Sequence, residues 1–305
     1  MPVNISDGLP AIQLLKKENI FVMGNLRALR QDIRPLRIAL LNLMPLKIVT
    51  ETDLVRVLSN SPLQVELDLI GLKSHVSKHT PIEHIQKFYI DCSEIRNQKY
   101  DGLIVTGAPV EQMEFEDVNY WEEITGIFDW AKTHVTSSLF ICWSAQAALY
   151  YYYGIPKYPL EKKMFGVFKH HVSDPFNPLF RGSDDEFFAP HSRHTEIRRE
   201  DIEKVPELTI LSESDEAGVY AVQARDGREV FITGHSEYAT ETLGHEYKRD
   251  IAKNIPIEIP VNYYAGNDPE KPPVVRWRSH ANLLFSNWLN YYVYQTTPYY
   301  IDSIH

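Results

Sequence analysis

The sequence has little of several features that would place a protein in a large structural or functional class. It contains only two cysteines, Cys92 and Cys142, which do not make a disulfide framework and fit a reducing compartment. No uninterrupted apolar stretch is long enough to span a bilayer, and the first residues lack the basic and apolar regions of a signal peptide. We therefore expect a cytoplasmic protein without a membrane segment.

A net positive charge and the common cofactor motifs are also missing. The formal net charge is −10 at pH 7, which argues against nucleic acid as a partner because nucleic-acid-binding proteins normally present a basic surface. The sequence holds no GxGxxG, P-loop, HExxH or CxxC pattern, so nicotinamide, nucleotide-hydrolysing and zinc-protease chemistry lose their usual support. We expect neither a metal site nor a bound cofactor.

What the chain does have is a series of apolar segments that alternate between strand and helix patterns, as in an α/β fold. Its 305 residues are 44% hydrophobic, which is ample for a sizeable core. Residues 1–35 predict an irregular N-terminal arm with one short helix near residues 10–19. Within residues 36–305, which we take as a single domain, apolar strands alternate with helices up to residue 153. That order predicts a mostly parallel sheet with flanking helices.

The pattern changes after residue 153. A short, mixed and partly basic segment follows at residues 160–172, and three strands are then predicted at residues 208–214, 218–225 and 229–233. Asp226-Gly227 is a strong hairpin signal between the last two of these strands. We therefore predict an antiparallel extension of the parallel sheet.

Cys142 stands where an apolar strand, predicted over residues 138–141, changes into a helix that begins with Trp143. A helix N-terminus supplies unpaired N–H groups and the positive end of a dipole, and both lower the pKa of a thiol. This is the arrangement of a nucleophile elbow, with cysteine in place of serine. The alternative for Cys142 alone is a buried and inert thiol, because free cysteine is among the most buried residues.

A second strand end carries a histidine and a carboxylate. His235 and Glu237 follow the strand at 229–233 and stand two residues apart, so both side chains can project into the same space. A cysteine nucleophile needs a base to take its proton, and the base needs a carboxylate to hold its tautomer. An isolated His-x-Glu pattern is common, but together with Cys142 it predicts a catalytic triad.

Two other strand ends could face the same site. Gly107 follows the strand at 101–106 and could share an oxyanion hole with the N–H of Trp143, since glycine lets backbone N–H groups approach a reacting oxygen. Lys47 follows the first strand of the alternating region in the same way. The ordinary alternatives are a plain turn at Gly107 and a solvated side chain at Lys47.

Residues that could bind a small polar substrate occur later in the chain. Lys163 belongs to a basic patch, and Ser192 lies in a polar loop at residues 190–194. Arg249 lies on a predicted helix and could clamp a carboxylate with two hydrogen bonds. The alternative for each is an ordinary surface position.

With these motifs the chain resembles the homoserine O-acyltransferases of methionine biosynthesis, which are trans-succinylases and trans-acetylases with a class I glutamine-amidotransferase-like (flavodoxin-like) fold. The resemblance is carried by residues 142–147 and 234–238, and it extends nearly end to end through unusual strings at residues 31–35, 41–45, 106–109, 189–193 and 285–291. One departure is Ser236, where the family usually has proline. Serine removes a restraint on φ but leaves His235 and Glu237 in place.

The resemblance implies a ping-pong acyl transfer between acyl-CoA and L-homoserine. Cys142 would take the acyl group as a thioester, and His235, oriented by Glu237, would remove the proton from the homoserine hydroxyl. Substrate contacts are implied for Lys163, Ser192 and Arg249, of which Arg249 would hold the homoserine carboxylate. Lys47 is expected near the oxyanion site.

Glu111 lies just past the turn that contains Gly107 and is expected to select the acyl donor. A carboxylate there would obstruct and repel the carboxylate of a succinyl group, whereas an acetyl group would meet neither effect. The resemblance agrees, because family members with glutamate at this position favour acetyl-CoA and those with glycine favour succinyl-CoA. We therefore expect acetyl-CoA as co-substrate, with succinyl-CoA as the alternative.

Two other classes of protein stay open. A cysteine hydrolase or amidotransferase of the same fold would use the same triad with water or ammonia, but it would need no carboxylate clamp such as Arg249. A non-catalytic binding protein would be expected to lose Cys142 or His235, and both are present. The oligomeric state is open too, since the tyrosine-rich segment 291–300 is consistent with a homodimer interface.

Overall fold

The computed structural model describes residues 3–5, 8–17, 23–24, 34–74 and 79–304. The strands of these residues are β1 (Val3–Ile5), β2 (Met23–Gly24), β3 (Leu36–Leu41), β4 (Val65–Gly71), β5 (Tyr89–Asp91), β6 (Tyr100–Val105), β7 (Val135–Ile141), β8 (Tyr158–Val172), β9 (Glu186–Glu196), β10 (Leu208–Ser214), β11 (Gly218–Ala224) and β12 (Glu229–Ile232). The helices are α1 (Pro10–Lys17), α2 (Lys47–Leu58), α3 (Ile82–Phe88), α4 (Trp121–His134), α5 (Trp143–Tyr153), α6 (Arg199–Ile202), α7 (Thr242–Ala252) and α8 (Arg278–Asn287), which continues as a π-helical segment (Trp288–Tyr294).

These strands form one sheet in the order β2-β1-β4-β3-β6-β7-β12-β11-β10-β8-β9, and β5 pairs with the C-terminal half of β4. The pairs from β2 to β12 are parallel, and the pairs from β12 to β9 are antiparallel. Strand β12 therefore joins the two parts, because it is parallel to β7 on one side and antiparallel to β11 on the other. The predicted mostly parallel sheet with an antiparallel extension is confirmed.

The core lies on both faces of the sheet. In β3, Ile38 and Leu40 pack into one buried cluster, whereas Ala39 and Leu41 pack into the cluster on the opposite face. Successive side chains of a strand point to opposite faces, so a strand that is covered on both sides is apolar without alternation. This burial explains why β3 carries no polar side of its own.

Within residues 1–35, the expected irregular conformation is wrong at residues 3–5 and 23–24, which form strands. Strand β1 pairs with β4, and β2 pairs with β1, so both extend the parallel edge of the sheet. The predicted short helix is present as α1, which buries Ala11 and Leu15. Residues 1–2, 6–7, 18–22 and 25–33 lie outside the described residues, and the division into an arm and one domain stays a prediction.

The segment predicted as short and mixed at residues 160–172 is also different. It belongs to β8, a strand of 15 residues that pairs with β9 at Tyr158–Pro159 and again at Met164–His171, with an irregularity between the two stretches. The Asp226-Gly227 turn is confirmed as the connection between the antiparallel strands β11 and β12.

Candidate active site

Cys142 occupies the corner between β7 and α5. Its backbone angles are φ 55° and ψ −114°, a conformation that is uncommon for a residue other than glycine and costs free energy. The corner is tied to its surroundings by Ser144, whose hydroxyl accepts the N–H of Ile141 at 3.0 Å and donates to the carbonyl of Val105 in β6 at 2.7 Å. The predicted elbow is therefore present, and it is attached to the neighbouring strand.

The helix that follows Cys142 leaves N–H groups at the corner. The first donors of its hydrogen-bond ladder are Ala145 and Gln146, which both bond to the carbonyl of Cys142. The N–H groups of Trp143 and Ser144 precede that ladder, as expected at a helix N-terminus. The N–H of Trp143 thus lies where the sequence predicts one donor of an oxyanion hole.

His235 reaches the same corner from β12. Strands β7 and β12 are parallel with Ile141 opposite Ile232, and the N–H of Cys142 donates to the carbonyl of Ile232 at 2.7 Å. The N–H of His235 donates to the carbonyl of Pro190 at 2.8 Å, which attaches the loop to β9. Because the two strands end at the same level, residues that follow them meet.

The side chains of the predicted triad come together. The Nδ1 atom of His235 lies 2.7 Å from Oε1 of Glu237, and His235 also hydrogen-bonds Cys142. Burial disfavours the charged imidazolium, but the negative charges of Cys142 and Glu237 outweigh burial and hold the pKa of His235 well above its ordinary value. The ring of Tyr238 stacks on His235 with a centroid distance of 4.2 Å and restricts its orientation.

Gly107 lies directly against Cys142 and His235. A Cβ atom at this position would lie 3.2 Å from the Cβ of Cys142 and 3.3 Å from Cε1 of His235, closer than most Cβ contacts. Glycine therefore allows the turn after β6 to approach the thiol. The role of Gly107 as the second donor of an oxyanion hole stays a prediction.

The three residues predicted to contact substrate converge on one carboxylate. Oε1 of Glu246, in α7, accepts hydrogen bonds from Lys163 at 2.7 Å, Ser192 at 2.9 Å and Arg249 at 3.4 Å. Asp250 lies beside it, 2.7 Å from Nε of Arg249 and 3.7 Å from Nζ of Lys163. We call these five residues the ion-pair cluster.

Sequence reasoning missed the two acidic members of the ion-pair cluster. Glu246 precedes Arg249 by three residues on α7, a spacing that places two side chains on the same helix face. That spacing was the available signal, because a helix face that presents an arginine to a site presents its neighbours as well.

Glu111 is influenced by the charges of both the triad and the ion-pair cluster. Burial raises the pKa of its carboxyl, while a hydrogen bond from the N–H of His194 and the positive charges of His235, Arg193 and Lys163 oppose that rise. The backbone carbonyl of Glu111 accepts a hydrogen bond from Lys157 at 2.8 Å, which fixes the loop. A carboxylate that interacts with His235 can affect what binds beside Cys142.

Lys47 is held away from solvent by a separate group of polar side chains. Its ammonium donates to the carbonyl of Asn42, and Glu51 lies nearby. Burial lowers the pKa of Lys47 to about 8, although the charge of Glu51 acts in the opposite direction. The role of Lys47 near the oxyanion site stays a prediction, since its hydrogen bond leads to Asn42.

A cavity of about 740 Å³ lies on the far side of Glu237. Its lining includes Arg56, Glu237, Tyr238 and Arg278, but not Cys142. Ser236, which stands where the resemblance suggests proline, also borders this cavity and shares a hydrogen bond with the hydroxyl of Tyr220. The cavity therefore borders the loop that carries Glu237, and the sulfur of Cys142 is not part of its lining.

No group of three or more His, Cys, Asp or Glu side chains in the described part of the chain is arranged to hold a metal ion. None of the helices in that part is both long and apolar enough to cross a membrane.

Comparisons with known proteins relate the whole chain to one group of enzymes. A sequence model of the family described as homoserine O-succinyltransferase matches residues 2–299. Proteins named homoserine O-acetyltransferase from Bacteroides fragilis and Bacteroides thetaiotaomicron are each 69% identical over 304 residues, and the match covers 100% of this chain and of each relative. One with the same name from Acetivibrio thermocellus is 62% identical over the same length, also with 100% coverage of both.

Solved structures with low sequence identity share the fold. A glutamine amidotransferase from Thermotoga maritima superposes with a TM-score of 0.52 at 13% identity and covers 85% of this chain and 98% of that chain. A glutamine amidotransferase from Methylobacillus flagellatus gives a TM-score of 0.53 at 12% identity and covers 85% of this chain and 95% of that chain. The predicted glutamine-amidotransferase-like fold is confirmed.

Proposed function

The chain belongs to the homoserine O-succinyltransferase family, and we propose that it is a homoserine O-acetyltransferase of methionine biosynthesis. It would transfer an acetyl group from acetyl-CoA to the hydroxyl of L-homoserine through a thioester on Cys142. The observation that carries the proposal is the 69% identity, over the whole chain, to relatives that bear this name. The geometry around Cys142 supports it with a mechanism.

In the first half-reaction the sulfur of Cys142 attacks the carbonyl carbon of acetyl-CoA. The negative charge that develops on the carbonyl oxygen would be stabilised by the N–H groups of Gly107 and Trp143. The bond from the carbonyl carbon to the sulfur of CoA then breaks, and the imidazolium of His235 gives its proton to that sulfur. The products are an acetyl thioester on Cys142, free CoA and a neutral His235.

In the second half-reaction neutral His235 acts as the base. Its Nε2 takes the proton of the homoserine hydroxyl while the oxygen attacks the thioester, and the sulfur of Cys142 leaves as a thiolate. Glu237 accepts the hydrogen bond of Nδ1–H, which holds the tautomer that leaves Nε2 free to accept. The cycle restores the pair of thiolate and imidazolium from which it began.

The ion-pair cluster suits an amino acid as acceptor. Homoserine carries a carboxylate, which Arg249 could hold with two hydrogen bonds, and an ammonium group, which Glu246 or Asp250 could hold. In the structure these side chains satisfy one another. We propose that the substrate exchanges partners with them, so that opposite charges remain paired when homoserine binds.

The acyl donor is the point at which two candidate functions differ. The family description refers to succinyl transfer, whereas the relatives at 69% identity are named for acetyl transfer. Glu111 supports acetyl-CoA, because its half-buried carboxylate would lie close to the carboxylate of a succinyl group. Succinyl-CoA is therefore the second candidate donor.

The experiment is intact-protein mass spectrometry after mixing with acetyl-CoA or succinyl-CoA, without homoserine. The proposal expects an acetyl adduct that maps to Cys142, is absent from Cys142→Ala and persists in Cys92→Ala. Addition of homoserine should remove the adduct and yield O-acetylhomoserine. A succinyl adduct in preference would favour the second donor, and rapid loss of the adduct in water would favour a hydrolase.

Three other expectations are unaffected by these observations and stay predictions. They are the cytoplasmic location, the absence of a bound cofactor and a homodimeric assembly.

A further inference from the structure

Arg193, in β9, is a buried positive charge whose close partners are all neutral. Its side chain is 1% exposed. Nε donates to Nδ1 of His191 at 3.3 Å, Nη1 donates to the carbonyl of Thr195 at 2.6 Å, and Nη2 donates to the carbonyl of Ala217 at 2.5 Å. Among the described residues, no carboxylate oxygen lies within 4.0 Å of a guanidinium nitrogen of Arg193, the distance that defines an ion pair. Buried charges are normally paired, so this guanidinium requires a countercharge.

A chain of hydrogen bonds fixes the orientation of Arg193. Nδ1 of His170 lies 3.0 Å from the carbonyl of Phe168, which can only accept, so Nδ1 carries the proton. Burial lowers the pKa of His170 to about 3, hence its Nε2 is unprotonated and accepts the Nε2–H of His191 at 3.0 Å. Burial also holds the pKa of His191 well below its ordinary value, which leaves its Nδ1 as the acceptor for Arg193.

The two histidines are therefore neutral, and the only charged group in this series of hydrogen bonds is the guanidinium of Arg193 at its end. This series of hydrogen bonds also lies against the loop that carries His235. A Cβ atom on Gly234 would lie 3.0 Å from Cε1 of His191, and the N–H of His235 bonds the carbonyl of Pro190 in the same strand. The positive charge of Arg193 is thus held at a fixed distance from the loop that carries His235.

Arg193 is linked to the elbow helix as well. The carbonyl of Thr195 that accepts from Nη1 also accepts from Nε2 of Gln146, at 3.2 Å, in the first turn of α5. The hydroxyl of Thr195 returns a hydrogen bond to Oε1 of Gln146 at 2.7 Å. Burial lowers the pKa of Arg193, and the negative charges of Cys142, Glu196 and Glu111 oppose that change, Cys142 the most.

We propose that Arg193 is a positioning residue whose buried, unpaired guanidinium provides the second positive charge, after His235, that keeps Cys142 as a thiolate. His191 and His170 serve this role by orienting the guanidinium. The inference rests on Cys142 as the nucleophile of the proposed function. It is independent of the acyl donor and of the acceptor.

The test measures the rate at which iodoacetamide alkylates Cys142 as a function of pH, because the thiolate is the reacting form. Arg193→Gln and Arg193→Lys are compared in a Cys92→Ala background, so that only one thiol reacts. The groups that face Cys142 or Arg193 and could contribute to the profile are His235, Glu237, Tyr238, Glu111, Glu196 and His191. All of them are unchanged in these variants.

The proposal expects the midpoint of alkylation to rise by about one pH unit or more in Arg193→Gln, the usual effect of losing an opposite charge nearby. Arg193→Lys should retain most of the original midpoint because it keeps the charge. Arg198→Gln, at a position whose side chain is 45% exposed and paired with Glu196, is the matched control and should leave the midpoint unchanged. A folded Arg193→Gln with the original midpoint would overturn the proposal.

A second comparison covers the case in which Arg193→Gln does not fold. Cys142→Asp and Cys142→Asn have the same shape and differ in charge, and both are made with His235→Gln so that Arg193 is the remaining cation. The proposal expects the Asp chain to have the higher Tm at pH 8, and equal Tm values would overturn it. Neither measurement uses CoA or homoserine, so a failure of the proposed acetyl transfer would be seen separately in the mass-spectrometric assay.

Discussion

The two sides of the candidate active site are held in different ways. The triad is buried, with exposures of 5% for Cys142, 3% for His235 and 6% for Glu237, and its members stand on the ends of adjacent strands. In the ion-pair cluster, the Arg249 side chain is 48% exposed, and the four charged side chains neutralise one another. The first side is arranged before substrate arrives, whereas the proposed binding of homoserine requires the second to exchange partners.

This difference separates the expected effects of mutation. A group that acts only in the transition state changes kcat, and a group that binds substrate changes the concentration that is required. Changes in the triad should therefore lower the rate of chemistry at any substrate concentration. Changes in the ion-pair cluster should mainly raise the KM for homoserine.

The largest effect is expected in the triad. His235→Ala should lower kcat by ~10²–10⁴-fold, since it removes the base, and Glu237→Ala should lower it less, because the base remains and loses only its orientation. The measurement is steady-state transfer to homoserine, with circular dichroism as a check of folding. Tyr238→Phe keeps the stacked ring and serves as a control. Wild-type activity in His235→Ala would reject the triad.

The next largest effect is expected in the ion-pair cluster, where a substitution should change homoserine binding without changing acetylation of Cys142. Arg249→Leu should raise the KM for homoserine by on the order of 10²-fold, as loss of a charge-assisted pair costs a few kcal/mol, while acetylation of Cys142 continues. Lys248→Leu, at the exposed neighbouring position on α7, is the matched control. Intact mass without homoserine reports the first half-reaction alone. If Arg249→Leu abolished that adduct, Arg249 would serve acylation or folding instead.

The same comparison shows what the sequence could predict. The sequence could predict that Cys142 and His235 lie close together, because neighbouring parallel strands end at the same edge of a sheet. The two strands that precede these residues are apolar and easily located. The spacing from Arg249 places Glu246 on the same face of α7, but the position of that face beside Lys163 and Ser192 depends on how α7 packs against β8 and β9. Strand β1 was missed for a different reason. It has only three residues, too few for a pattern, and it is stabilised by pairing with β4.

A third prediction concerns Glu111, which is influenced by the charges of both sides. Glu111→Gly should raise kcat/KM for succinyl-CoA relative to acetyl-CoA by on the order of tenfold or more, because one like-charge contact and its bulk are removed. Glu116→Gly, an exposed glutamate in the same loop, is the control and should leave the ratio unchanged. A wild-type preference for succinyl-CoA would contradict the donor assignment. An unchanged ratio in Glu111→Gly would contradict the role of Glu111.

The smallest effect is expected behind the triad, where Asp53 of α2 is buried beside Glu237 and 2.7 Å from Arg56. Burial raises the pKa of Asp53 to about 7, although hydrogen bonds and the charge of Arg56 act against the rise. The folded protein therefore binds more protons than the unfolded chain between pH ~4 and ~7, so this group makes stability fall as pH increases through that range.

Asp53→Asn should flatten the dependence of Tm on pH between 5 and 8 without changing kcat by more than a few-fold. Asp117→Asn, on an exposed loop, should keep the wild-type slope. Equal slopes in wild type and Asp53→Asn would show that the carboxyl ionises as freely in the folded protein as in the unfolded chain.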